Sequence, residues 1–301
     1  MLTATCLAPA KVNLCLRVVG RRADGYHLLD SIFAAIDLTD RVVISVSNLC
    51  SPKETDVDVR CAYPGVPTDT TNLAARAAVK LLEECGLGAK ITIGIDKQIP
   101  PAAGLGGGSS NAASVLRCLN TILRLNVSEK RLREMALQLG ADVPFFLTGG
   151  CARVRGIGED IEPVRGWPGL ALIVAIPPIA VSTAWAFRGY SGSFADGAEE
   201  PSMMASGVEP HAALLLNDLE KVVLATYPEI AHVKRGLLEA GASAAVMSGS
   251  GAAVVALVPP SMSPQAVAEA FSSSHPGVRV CCTRILPAGN PPSVDPTPSY
   301  A

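Results

Sequence analysis

Apolar positions recur along the chain with two periods, and the change from one to the other outlines the elements. The first third carries β-branched apolar runs at residues 10–19 and 41–47, and an alternating run at 57–61. Each predicts a strand. The period then lengthens. Asn72 is a cap-type residue heading a helical stretch that Gly86 stops. A strong β run follows at 91–95, then a glycine-rich loop at 100–108, then a second helical stretch. In that stretch Ala112, Val115, Leu116, Leu119, Ile122 and Leu123 fall on one face at spacings of three and four. Residues 129–139 predict another helix, ended before Gly140.

The second half repeats the alternation. Residues 151–154 and 170–176 read as strands, and the Gly/Ser/Pro-rich segment 188–210 as a surface loop. Asn217 or Asp218 can cap a helix running to Ala225. Pro228 suits the first turn of the next helix, with Ile230, Val233, Leu237 and Leu238 on its buried side and Gly241 as its stop. Residues 244–247 and 252–258 form a strand pair about a Ser248-Gly249-Ser250-Gly251 turn. A short helix (265–272) and a last strand (278–285) follow. The tail 287–301, rich in proline and small polar residues, is expected to be disordered. There is no internal repeat. Interspersed helices and strands over 301 residues give an α+β class with two lobes, 1–165 and 166–286.

Composition narrows the function without naming it. The 25 basic and 27 acidic side chains leave a formal net charge of -2, without the basic excess of a nucleic-acid binder. The nine cysteines are scattered with no C-x-x-C pair and no zinc spacing, as expected of free thiols in a reducing compartment. Lys11 and Asn13 interrupt the N-terminal apolar stretch early, so no signal peptide is read. The longest apolar run, 169–181, contains Pro177 and Pro178 and is too short to span a bilayer. A cytoplasmic protein that binds neither nucleic acid nor membrane is expected, a monomer or weak homodimer.

The chemistry concentrates in Pro100, Pro101, Ala102, Ala103, Gly104, Leu105, Gly106, Gly107, Gly108, Ser109, Ser110. This string joins a β run to an amphipathic helix. Glycines there let the backbone approach a ligand closely. Successive N–H groups can then converge on an anion beside the positive end of the helix dipole. Ser109 and Ser110 can cap the helix or donate hydroxyls to phosphate. No lysine follows the last glycine, so this is not a Walker loop. Nor is it a dinucleotide loop: the third glycine is missing, and the loop comes a hundred residues into the chain.

The string resembles the phosphate-binding motif P-x-x-x-G-L-G-S/G-S-S of the GHMP kinases. Ala8-Pro-Ala-Lys-Val-Asn-Leu14 resembles the N-terminal motif of that superfamily, and Met247-Ser-Gly-Ser-Gly-Ala252 its C-terminal glycine motif. Two further segments, Asp24-Gly-Tyr-His-Leu-Leu-Asp-Ser-Ile-Phe33 and Gly140-Ala-Asp-Val-Pro-Phe-Phe146, resemble those of the members that phosphorylate 4-diphosphocytidyl-2-C-methyl-D-erythritol. The resemblance runs from about Pro9 to Leu257. It departs at Pro101-Ala-Ala103, where a Met and glycines are usual, in the 188–210 loop, and in the tail.

The resemblance implies a two-lobed fold, ribosomal-protein-S5-like in the N-terminal lobe and ferredoxin-like in the C-terminal one. It implies ATP and Mg²⁺, and transfer of the γ-phosphoryl to the 2-hydroxyl of that substrate in the non-mevalonate isoprenoid pathway. Asp142 would be the general base, with Lys11 beside it stabilising charge. Asn13, on the same strand face as Lys11, would hydrogen-bond substrate. His27 would read the cytosine edge between Tyr26 and Phe187, with Trp185 the rival to Phe187. Thr183 would reach a phosphate, and Ser250 and Gly251 would lie near the reacting groups. No metal ligand is singled out. Two rival readings stand beside this one: another small-molecule GHMP kinase, and a catalytically silent nucleotide-binding homologue.

Overall fold

A computed structural model of the chain describes residues 1–164, 169–192 and 215–287, and the backbone of 294–297. Its spine is a long antiparallel hairpin. Strand β1 (Leu2–Arg21) runs against β2 (His27–Cys50) in register from Leu2 opposite Val46 to Arg21 opposite His27. Both strands extend well beyond the runs 10–19 and 41–47. Polar positions such as Asp30, Ser31 and Asp40 break the apolar pattern of β2, but ladder pairing carries the strand through them. A tight turn closes the hairpin, with Arg22 N donating to Tyr26 O at 2.7 Å. Register shifts between Pro9 and Ala10 and between Asn13 and Cys15 bend it. One half therefore pairs with β4 (Gly88–Asp96), which carries β3 (Asp56–Arg60) at the edge. The other half pairs with β5 (Cys151–Gly156), which carries β6 (Asp160–Pro163).

Helices cover one face of this sheet. Asn72 caps α1 (Leu73–Glu84) as expected, its side chain accepting from Ala74 N at 2.9 Å. Helix α2 (Gly107–Ile122) buries Ala112, Val115, Leu116 and Leu119 fully, while Ile122 and Leu123 pack at the margin. Helix α3 (Glu129–Leu139) has the predicted bounds. Helix α4 (Val143–Thr148) has too few residues to show a period. Pro144 sits in its first turn, and Phe145 and Phe146 sink into the core, each worth about 2–3 kcal/mol of burial.

The second lobe opens with β7 (Ala171–Ile176) and α5 (Thr183–Gly189). It continues through β8 (Leu216–Asn217), α6 (Glu220–Thr226), α7 (Pro228–Glu239), β9 (Ala244–Met247), β10 (Val254–Leu257), α8 (Pro264–Ser274) and β11 (Arg279–Arg284). Its sheet has the order β11-β7-β10-β9, antiparallel throughout. With α7 and α8 as crossovers this is the ferredoxin-like β-α-β-β-α-β arrangement. The two sheets meet across a shared apolar layer, with Val12, Leu14, Ile32 and Ile36 of the hairpin packed against Leu172, Val174, Val246 and Val255.

Several expectations are corrected. Leu238 is exposed, because the buried stripe of α7 runs through Ile230, Val233 and Leu237. Asp218 does not cap α6; its carboxylate accepts from Val18 N at 2.8 Å. Asn217 Oδ1 accepts from Leu219 N, the residue that heads α6, at 2.9 Å, and its amide also donates to Met247 O and Gly249 O, both at 2.7 Å. The segment 188–210 begins as the last turn of α5, and residues 193–210 lie outside the described residues. Of the tail, β12 (Val294–Thr297) pairs antiparallel with Thr3 through Cys6 of β1. Pro296 is tolerated there because β12 is an edge strand. Residues 288–293 and 298–301 lie outside the described residues. Among the described residues, no helix is long and apolar enough to cross a membrane.

Candidate active site

A cavity of about 510 Å³ lies between the lobes, lined by the glycine loop, Lys11, Asn13, Asp142, Thr183, Phe187, Gly249 and Ser250. Gly65, Val66, Pro67, Asn72 and Leu29 also line it.

The loop is fixed from three sides. Gly106 takes φ 69° and caps α2 in a left-handed conformation; a Cβ there would lie 2.9 Å from Phe146 Cζ and 3.0 Å from Lys11 Cγ. Gly104 takes φ 77°, and a Cβ there would lie 2.2 Å from Ser248 O. The second glycine motif touches it directly. Ser248 Oγ donates to Gly104 O at 3.1 Å, and Ala253 N donates to Ala103 O at 3.1 Å. On the third side Lys11 N donates to Leu105 O at 2.9 Å. Helical hydrogen bonding begins with Ser110 N to Gly106 O at 2.9 Å. The N–H groups of Gly107, Gly108 and Ser109 therefore belong to the first turn, which has no partner within the helix. They stand at the positive end of a helix that opens on the cavity, an arrangement suited to an anion.

Lys11 does not face water from an edge strand. Its side chain is 5% exposed, and its ammonium lies 3.4 Å from Asp142 Oδ2 and 2.6 Å from Asn13 Oδ1, over the ring of Phe33 at 4.5 Å. Asn13 is anchored in turn: its N–H donates to Ser248 Oγ at 3.1 Å and its amide to Ser31 Oγ at 3.0 Å. Asp142 is the N-cap residue of α4, yet its carboxylate makes no capping bond. It is one-third exposed, free to face both Lys11 and a ligand in the cavity.

On the same cavity wall, Thr183 Oγ1 lies 2.9 Å from Ser250 Oγ. His27 stacks on Phe187 with ring centroids 5.4 Å apart, and Tyr190 meets the His27 edge at 6.2 Å. Burial, with the charge of Arg21 adding to it, holds the His27 imidazole below its ordinary pKa, so the ring is neutral near pH 7.

Not every expected residue reaches the cavity. Tyr26 lies in the exposed hairpin turn, 63% exposed, and neither it nor His27, which touches the cavity-lining Phe187, itself lines the cavity. Trp185 packs edge-on against Tyr227 at 5.5 Å and does not line the cavity. Ser110 is fully buried, with a hydroxyl that has no hydrogen-bond partner, and Gly251 lies behind the lining. Pro100 through Ser109 do line the cavity. So do Asn111, which closes the glycine string, and Lys97 and Leu73, to which no role was assigned from the sequence. Lys97 had no local signal.

A helix N-terminus suited to an anion, a lysine–aspartate pair on the cavity wall and a ferredoxin-like second lobe together fit a small-molecule phosphotransferase. Known proteins agree. The model for the N-terminal domain of GHMP kinases matches residues 72–150, and that for their C-terminal domain matches residues 204–277. Homoserine kinase from Cytophaga hutchinsonii shares the fold at TM-score 0.71 and 19% identity, over 97% of each chain. Among curated proteins, 4-diphosphocytidyl-2-C-methyl-D-erythritol kinase of Geobacter metallireducens is 42% identical over 91% of this chain and 96% of its own. That of Gloeobacter violaceus is 36% identical over 96% of both. A crystal structure of 4-(cytidine 5'-diphospho)-2C-methyl-D-erythritol kinase superposes with TM-score 0.75 at 34% identity, covering 95% of this chain and 99% of that one. The chain belongs to the 4-diphosphocytidyl-2-C-methyl-D-erythritol kinase family of the GHMP kinases.

Proposed function

We propose that the protein transfers the γ-phosphoryl of ATP to the 2-hydroxyl of 4-diphosphocytidyl-2-C-methyl-D-erythritol, releasing ADP and the 2-phosphate in the non-mevalonate isoprenoid pathway. The observation that carries this reading is the Lys11–Asp142 pair, which shares one cavity with the glycine loop and with Phe187, on which His27 stacks. The triphosphate lies along the loop, against the N–H groups of Gly107, Gly108 and Ser109. The cytosine lies toward Phe187, where the neutral His27 can pair with its edge. The acceptor hydroxyl then falls beside Asp142.

Asp142 takes the hydroxyl proton as the new oxygen–phosphorus bond forms and the bond from Pγ to the ADP oxygen breaks. The Lys11 ammonium, held by Asn13, offsets negative charge gathering on the transferring group. Asp142 is the acidic side chain among the described residues that line the cavity, and Ser109 offers a hydroxyl on the loop. These two would hold Mg²⁺, which would supply charge neutralisation for the phosphates.

A coupled ADP-release assay with the cytidylyl substrate tests the reading. Turnover should fall when CDP competes. Asp142→Asn should lower kcat by at least about a hundredfold, the range for losing a general base, while MgATP binding stays within a few-fold of the parent. Near-normal turnover in that variant removes Asp142 as the base. ATP binding without ADP release on this substrate would return the protein to the rival classes.

A further inference from the structure

Outside the cavity wall lies one fully buried carboxylate that the chemistry above does not use. Asp40, on β2, has no exposed surface. An unpaired charge in such a place would be costly, so its partners are informative. Asp40 Oδ1 accepts from Gln98 N and Ile99 N, both at 2.8 Å. Its Oδ2 accepts from Asn111 Nδ2 at 2.9 Å and pairs with the Lys97 ammonium. Residues 97–99 enter the glycine loop, and Asn111 leaves it. A single carboxylate therefore ties together both stems of the loop, from a strand 57 residues earlier in the chain.

Lys97 gives this clamp a bearing on the ligand. Its side chain is almost completely buried and lines the cavity, and its Nζ lies 2.7 Å from where a Cβ on Gly107 would sit. The ammonium is thus packed beneath the first residue of α2, next to the N–H groups that face the cavity. A cation at the positive end of a helix is unfavourable by itself. Asp40 holds it there by supplying the countercharge from behind.

We propose that Asp40 is a positioning residue for the nucleotide triphosphate: through Lys97, Asn111 and the 98–99 backbone it fixes the anion-binding geometry of the glycine loop. This rests on the loop being the ATP site, but not on the identity of the acceptor. The test is MgATP binding by calorimetry without acceptor, with CDP affinity measured in parallel, on the full chain and on Asp40→Asn. The substitution keeps the shape but turns a donor toward Lys97 and Asn111. We expect the Kd for MgATP to rise at least tenfold, the Kd for CDP to stay within twofold, and KM for ATP to rise with kcat at saturating ATP within about threefold. A merely structural role would lower the active fraction without this split. The double variant Asp40→Asn/Lys97→Met removes the uncompensated cation and serves where the single variant does not fold; it should retain the weakened MgATP binding. A folded variant of either kind that binds MgATP within twofold of the parent, or loses MgATP and CDP affinity equally, overturns the proposal. Parent protein that binds MgATP but does not phosphorylate the cytidylyl substrate would instead sink the functional reading and leave the Asp40 comparison standing.

Discussion

Ala102 shows how a departure from family usage becomes a stability statement. It stands where glycines are usual, and it takes φ 54°, a left-handed conformation. An alanine there costs about 1–2 kcal/mol, whereas glycine in the unfolded chain gives back only about 0.4–1. Ala102 is exposed, so its methyl has little packing to lose. Ala102→Gly should therefore stabilise the protein by about 0.5–1 kcal/mol, read as a higher urea midpoint at unchanged slope. At this scale the sequence was most legible where chemistry sits in short strings. Lys11, Asn13 and Asp142 could be found from their neighbours, and the fold brings them within hydrogen-bonding or ion-pairing reach. Asp40 and Lys97 could not, because their pairing joins β2 to the residue after β4, far apart in the chain, and has no local pattern. Tyr26 was legible as a string, but its exposure in the hairpin turn depends on the tertiary course of the chain.

Among elements, those with a full period were readable. Helices α1, α2, α3, α7 and α8 were all legible, with glycine stops at Gly86, Gly140 and Gly241 for α1, α3 and α7. Helices α4 and α5 complete too few turns to show one, and β2 is interrupted by polar residues that find partners only in the fold: Asp30 with Arg153, and Asp40 with Lys97. The two-residue strand β8 matters beyond its length. It runs parallel to β1 at Cys15 and Leu16, and delivers Asn217 to the backbone of the second glycine motif. Asn217→Ala would leave Met247 O and Gly249 O buried without donors. A loss of about 2–4 kcal/mol is expected, measured by urea unfolding, together with weaker substrate binding from the loosened turn. A stability change under 0.5 kcal/mol would show that water or another donor replaces the amide.

For the whole molecule, the two sheets share one apolar layer, and polar bonds reinforce it. Arg279 reaches Gln98 O at 2.8 Å, and Arg284 N donates to Asp37 Oδ1 at 3.1 Å. Thermal unfolding should then be a single transition. Loss of near-ultraviolet circular dichroism and loss of binding to a fluorescent ATP analogue should coincide within about two degrees. Two separated transitions would mean that the lobes melt independently. The contacts of Ser248 and Ala253 on Gly104 and Ala103 also bear on heredity. A substitution in the interior of the second lobe would shift the strand ends that hold the glycine loop, the proposed nucleotide site, in shape. In a genetic screen, alleles scattered through that lobe would be scored as nucleotide-affinity mutants, although none of the altered side chains touches the nucleotide.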